Sequence, residues 1–368
     1  MIWLTSYLVL YLGVIFITAL LPEKNKQIIF ALNSIIFSII VYATLTFGIA
    51  NREIFGDSLN YYYYFEAVCN GRVGDYYSLF YYMNFMSCGM NYRIYFSLFP
   101  IIMASTYFLV CFDRYIIYNM AFLTILVVSG NIFLQYSGSG LKQCLSICFV
   151  LMALKSLLDE RLVRVTIFSI LAVNFHFSSL LFLLPVLLLN FWKRKISKEE
   201  IKLVLVISVI STLISIFKVN NIFEGMEILK TMSDGRYAIY GTGIESYPTG
   251  FRLSFFIYSM FPLIVFAVLK YGFRINMSHI CYYLLVVYLL FYSVATILNS
   301  MPYSDRFYAY SWSITPVILY YCGSSILSDR KVSSFRFILY FVLITLLMAI
   351  LFINYNSAFY LRLDNILA

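Results

Sequence analysis

A chain of 368 residues that is 62% hydrophobic and 12% charged does not fit a soluble globule, whose apolar share is about 45–50% and charged share about 25%. With a mean hydropathy of +0.86 it reads as an all-α, polytopic integral membrane protein forming one domain over 1–368. The formal charge of +9 reports topology and implies no nucleic-acid partner.

In chain order, apolar runs of roughly the 17–25 residues that a span requires fall at 3–21, 28–49, 94–111, 116–134, 142–158, 163–175, 177–192, 203–217, 253–269, 279–298, 307–327 and 337–354. That gives about twelve transmembrane or half-membrane helices, with both termini on one side. The first run is followed by Pro22 and Glu23 with no small-residue cleavage site, and no basic segment precedes it. It reads as a retained span and not as a signal peptide. Runs 163–175 and 177–192 are short for perpendicular crossings, which predicts half-helices that turn back between Asn174 and Ser179. Irregular backbone at that depth is tolerated where it lines a cavity.

The connections after alternate spans, with the adjoining span ends, hold 16 of the 26 Lys and Arg against seven acidic residues; the other side holds ten against ten. The whole net charge therefore sits on one face, which the positive-inside rule makes cytoplasmic. Two long loops, 50–93 and 218–252, then face outward and are rich in Tyr, Asn and Gly. Connections longer than about 12–15 residues are usually functional or disordered, and so many aromatic residues argue against disorder. Tyrosines beside carboxylates and amides suit a carbohydrate, whose C–H faces stack on rings while its hydroxyls need polar partners. Tyrosine also anchors chains at membrane interfaces, which accounts for most of the 34 present. Cys69 and Cys88 share the first outer loop, where a disulfide is permitted but not fixed by spacing.

Two cations stand inside long apolar surroundings. Lys142 opens one run after a glycine-serine turn, and His176 interrupts the next pair. An ionisable group at membrane depth costs about 2.5–3.5 kcal/mol on insertion scales and persists with a partner or a water-filled cavity. The ammonium of Lys142 meets the positive end of its helix dipole, a placement that becomes favourable when an anion binds beside it. The short DERLVR connection makes the two segments neighbours, so Lys142 and His176 are expected to line one cavity. Arg52, Arg93, Arg252 and Arg306 also lie at or near outer span boundaries. As a set they suit phosphate, which arginine grips through a planar fork and lysine attracts as a point charge. Each one singly also suits a headgroup contact or snorkelling.

The segments GLKQCLSICFVLMAL and LAVNFHFSSLLFLLP carry a basic residue and Gln opening a helix, then an apolar run ending in Phe-His-x-Ser. Together with Arg52-x-x-x-Gly56-Asp57-x-x-x-Tyr61, Tyr247 to Leu253, and Arg306-x-x-x-Tyr310, in that order over about 50–320, the chain resembles the EpsG and Wzy group of bacterial polysaccharide polymerases. It departs from the pattern at Lys142, where Arg is favoured, and at Cys88, where an acidic residue is common.

The resemblance implies a multi-pass inner-membrane glycosyltransferase with its active site facing the periplasm. Its substrates would be undecaprenyl-pyrophosphate-linked oligosaccharides, the growing chain on one carrier being joined to the repeat on another. Membrane lipids and a chain-length regulator protein are the other expected partners. No HxxH, outer Asp-x-Asp or Cys/His cluster is present, so no cofactor or metal is expected, and cations would stabilise the leaving group instead. The expected catalytic residues are His176, Asp57, Arg306 and Arg252; the expected substrate contacts are Arg52, Lys142, Gln143, Tyr61, Tyr247 and Tyr310. His176 suits a general base, a phosphate contact or a hydrogen-bonded core position; Asp57 suits a base or a helix cap. An O-antigen ligase shares the donor and the outer arginines, and a lipid-linked oligosaccharide flippase shares the span count, although no internal repeat is visible.

Overall fold

The structure, a computed structural model, describes residues 23–51, 57–73, 77–113, 116–191, 198–218, 249–301 and 304–328. Among these residues every regular element is a helix. The expected spans 3–21 and 337–354, and the site residues Arg52 and Tyr247, lie outside the described residues.

The chain is a polytopic membrane protein. Five of its described helices are long and apolar enough to cross a bilayer, or six if one bent pair is a single span. Ten transmembrane or half-membrane helices were expected over the same region, and the difference has local causes. The run 116–134 is not one rod: α5 (Ile116–Ser129) ends at Gly130 and α6 (Asn131–Gly138) leaves it, with a bend of 67°. Gly130 adopts an extended backbone there. The run 307–327 is likewise divided into α13 (Asp305–Trp312) and α14 (Thr315–Ser328). The short pair is resolved as α8 (Leu162–Phe175) and α9 (Ser179–Phe191), broken where expected, at residues 176–178. The run 203–217 lies in α10 (Lys198–Ile216), whose first turns carry charge.

The first long connection, 50–93, contains helices of its own. Within it lie two short helices, α2 (Asp57–Cys69) and α3 (Leu79–Met86), packed on each other, and a Cys69–Cys88 disulfide links the end of α2 to the residues just after α3. Helix α2 stops at Gly71, where φ is +67°. The amide of Arg72 donates to the carbonyl of Ala67 and that of Gly71 to Val68, the double closure that needs a left-handed residue at the helix end.

The helices pack as two compact units, one running through Cys148 and the other from Phe149. In the first, α1 (Glu23–Asn51) packs on α4 (Tyr92–Val110) and α5. Hydroxyls cross this contact: the amide of Ala121 donates to Ser34 Oγ at 2.8 Å, and Thr124 Oγ1 donates to Ser38 Oγ at 2.8 Å. Such side chains hold helices together where apolar packing gains nothing over lipid. In the second unit α12 (His279–Ile297) is buried on nearly every side, as a helix that is apolar all round must be. Helices α9, α10, α13 and α14 surround it, and Ser208 with Ser293 (3.0 Å) and Thr212 with Tyr292 (2.9 Å) tie α10 to it. Helix α7 (Leu141–Leu158) begins in the first unit and ends in the second. A Cβ on Gly140, just before it, would stand 2.6 Å from the Tyr136 ring, so only glycine fits that entry.

Candidate functional site

In the first unit the predicted residues gather around the start of α7. The Lys142 ammonium lies over two rings, 5.2 Å from the centroid of Phe80 and 5.4 Å from that of Tyr64. Both rings come from the helical cap: Tyr64 from α2 and Phe80 from α3. Tyr61 meets Phe80 edge-on at 5.6 Å, and Tyr64 stacks on it at 5.8 Å. Asp57, Tyr61 and Tyr64 follow the i, i+4, i+7 spacing that places residues on one face of a helix. Asp57 is the first residue of α2, where a carboxylate complements the dipole. Gln143 is buried beside Lys142 in sequence. Beneath them, Phe65 stacks on Tyr95 of α4 at 4.9 Å, which fixes the cap to the span below.

In the second unit the break after α8 does the positioning. His176 has an extended backbone (φ −153°, ψ 109°), so the chain leaves the helix there, and two residues on the helix-breaking turn returns Ser178 to the ring. His176 Nδ1 lies 2.6 Å from Ser178 Oγ; residues i and i+2 do not face each other in a helix, so this contact exists because the helix stops. Ser178 Oγ lies 3.3 Å from the Tyr310 hydroxyl on α13. Tyr310 is fully buried, its ring stacked on Phe182 at 4.4 Å, and Phe182 meets Phe291 edge-on at 5.3 Å.

Helix α13 is also where the two arginines are organised. Arg306 stands four residues before Tyr310 on the same stripe and is half-buried. Arg252 precedes α11 (Leu253–Ala267), and its guanidinium lies 4.6 Å from the centroid of the Phe255 ring. Phe255 meets Tyr308 and Trp312 edge-on at 5.2 and 5.1 Å, and these two occupy the opposite stripe of α13. The segment before Arg252 is held as well: the Gly250 amide donates to the Asn299 carbonyl at 2.8 Å, and the Asn299 side chain donates to Ser215 Oγ. One eight-residue helix thus carries a contact to Ser178, the partner of His176, on one face and contacts to the seat of Arg252 on the other.

A model of the EpsG family matches residues 35–363. The chain belongs to the EpsG family. No curated protein and no solved structure matches it. All ten predicted site residues of this EpsG-family chain lie inside the matched region, and membership associates it with exopolysaccharide synthesis at a membrane.

The structure brings His176, Tyr310, Arg306 and Arg252 around α13, and Lys142, Tyr61 and Asp57 around the cap. The first group belongs to the second unit and the second group to the first. Among the described residues no three His, Cys, Asp or Glu side chains converge as a metal site. Sequence reasoning missed Ser178, although it stands in the Phe-His-x-Ser pattern, because its contact needs the helix break. It also missed Phe80, one of 35 phenylalanines with nothing in its neighbourhood to single it out.

Proposed function

We propose that this EpsG-family chain is a polysaccharide polymerase, a metal-independent glycosyltransferase joining polyprenyl-pyrophosphate-linked oligosaccharides on the outer face of the cytoplasmic membrane. The observation that carries the reading is the His176–Ser178–Tyr310 chain of polar contacts on α13, the helix that also bears Arg306 and packs on the seat of Arg252. An acceptor sugar hydroxyl is a poor nucleophile and needs a base. If His176 Nδ1–H donates to Ser178 Oγ, and Ser178 donates to Tyr310, the tautomer is set and Nε2 is the basic nitrogen.

In the proposed reaction the acceptor oxygen bonds to the anomeric carbon of the donor glycan, and its proton passes to His176. The bond from that carbon to the pyrophosphate oxygen breaks, and the lipid pyrophosphate leaves with the electron pair. Arg252 and Arg306 meet the developing negative charge, and Lys142, in the first unit, offers a phosphate contact of its own. Preorganised charges in a poorly hydrated site are the largest source of such stabilisation. Asp57 is the alternative base, Tyr61 and Tyr247 offer rings for sugar stacking, and Gln143 and Arg52 offer polar contacts. The Cys69–Cys88 disulfide supports an outward cap, since disulfides persist in oxidising compartments.

Deleting the gene tests the proposal. Surface polysaccharide carrying a single repeat is the expected result. Loss of all attached polysaccharide indicates a ligase instead, and lipid-linked repeats trapped on the inner face indicate a flippase.

A further inference from the structure

A cavity of about 990 Å³ lies within the first unit, between α1 and α4. None of its lining residues forms the Lys142 seat, and the proposed reaction uses none of them. One end is polar: Asn51, Asn91 and Arg93. Arg93 Nη1 donates to Asn51 Oδ1 at 3.3 Å, Nε donates to the Tyr92 hydroxyl at 3.3 Å, and the Arg93 amide donates to Asn91 Oδ1 at 2.9 Å. These partners are neutral, and among the described residues no carboxylate neutralises the guanidinium. Below this end the walls are apolar or small, with Phe47, Ile101 and Leu109 exposed along them and Ala43, Ala104 and Ser105 leaving the width.

We propose that this groove holds the prenyl chain of a polyprenyl phosphate, with Arg93 on the phosphate. The inference rests on the polymerase reading for the identity of the lipid and not for the geometry. Two features select the occupant. A guanidinium that meets only neutral groups among the described residues, at one end of an apolar channel, complements an anionic headgroup with a hydrocarbon tail. From Arg93 to Leu109 the helix makes sixteen steps of 1.5 Å, about 24 Å in all. One leaflet is about half of a hydrocarbon core of about 30 Å, so a phospholipid acyl chain leaves the far part of the groove empty. A prenyl chain long enough to pass the bilayer midplane fills it.

The test uses the full chain purified in nanodiscs containing undecaprenyl phosphate and an excess of phosphatidylglycerol, with retained lipid read by native mass spectrometry. Wild type should retain the polyprenyl phosphate. Arg93→Gln should weaken retention about tenfold, the usual effect of losing one charged hydrogen bond, and Ala104→Trp, which fills the channel, should abolish it. Ala43→Phe is the second blocking variant should Ala104→Trp fail to fold. A photoreactive residue replacing Ile101 should give an adduct of polyprenyl mass. Equal retention by wild type and a folded blocking variant, preferential retention of phosphatidylglycerol, or an adduct only to this chain's own peptides each overturns the proposal. Because the probe carries no glycan, a failure here leaves the polymerase reading standing, and binding without polymerisation in cells separates the two in the other direction.

Discussion

His176 Nδ1 and Ser178 Oγ lie 2.6 Å apart across a break between two helices. A ring in this position is oriented by its neighbour, as an imidazole acting at Nε2 must be. Ser178→Ala should therefore lower polymer yield about tenfold, whereas His176→Ala should lower it by about 10²–10⁴, the range for a lost acid–base group. Ser178→Thr keeps the hydroxyl and should recover most of the yield, and Tyr310→Phe, which keeps the stack on Phe182, should fall between. Gel analysis of polymer at matched membrane levels reads all four. An unchanged yield from Ser178→Ala would reduce the contact to packing.

Lys142→Met removes the charge and keeps most of the volume. Polymerisation should be lost, and the melting temperature in detergent should drop only slightly, since a cation over aromatic rings contributes about 0.5–2 kcal/mol. A wild-type yield from Lys142→Met would remove the ammonium from the chemistry. Phe80→Leu withdraws one ring of the seat and should lower the yield without abolishing it.

The two arginines on the α13 cluster differ from lysine in shape as well as charge. Arg252 lies against the Phe255 ring, an arrangement suited to a planar guanidinium. Neither Arg252→Lys nor Arg306→Lys should restore polymer length. Full-length polymer from both, at normal expression, would make these residues membrane anchors.

Cys69→Ser and Cys88→Ser should each abolish the same redox-dependent shift on a non-reducing gel, and the double variant should behave as either single one. With the cysteines nineteen residues apart in sequence, losing the cross-link is expected to cost about 2–4 kcal/mol. The readout is thermal stability of the purified chain with and without reductant.

Compartment reporters fused at Lys198 and Gly235 should give opposite signals, cytoplasmic and outer, as the distribution of basic residues requires. The same signal from both would overturn the orientation and, with it, the outward placement of the cap.

Long apolar runs made the helices legible: the expected 28–49, 94–111 and 142–158 appear as Glu23–Asn51, Tyr92–Val110 and Leu141–Leu158. Hydropathy could not see the breaks inside such runs, because a broken span is as apolar as a straight one. The sequence marks at Ser129-Gly130-Asn131 and Ser313 were of the turn-forming kind but faint beside so much apolar signal. Residues 57–86 read as a loop because α2 and α3 are short and bury aromatic residues against each other and α4; that stabilisation comes from tertiary packing and not from any local pattern. His176 was legible as a lone histidine in an apolar stretch. Its partner was not, since i and i+2 meet only once the helix has ended.

The disulfide also imposes an order on assembly. Thiols stay reduced where the chain is made and pair only in an oxidising compartment, so on the proposed orientation α2 and α3 are locked together after they have crossed the membrane. The rings of Tyr64 and Phe80 that hold Lys142 belong to those two helices. The seat of that cation is then the last part of the first unit to be secured, and a newly inserted chain matures from spans without a finished cap to spans with one.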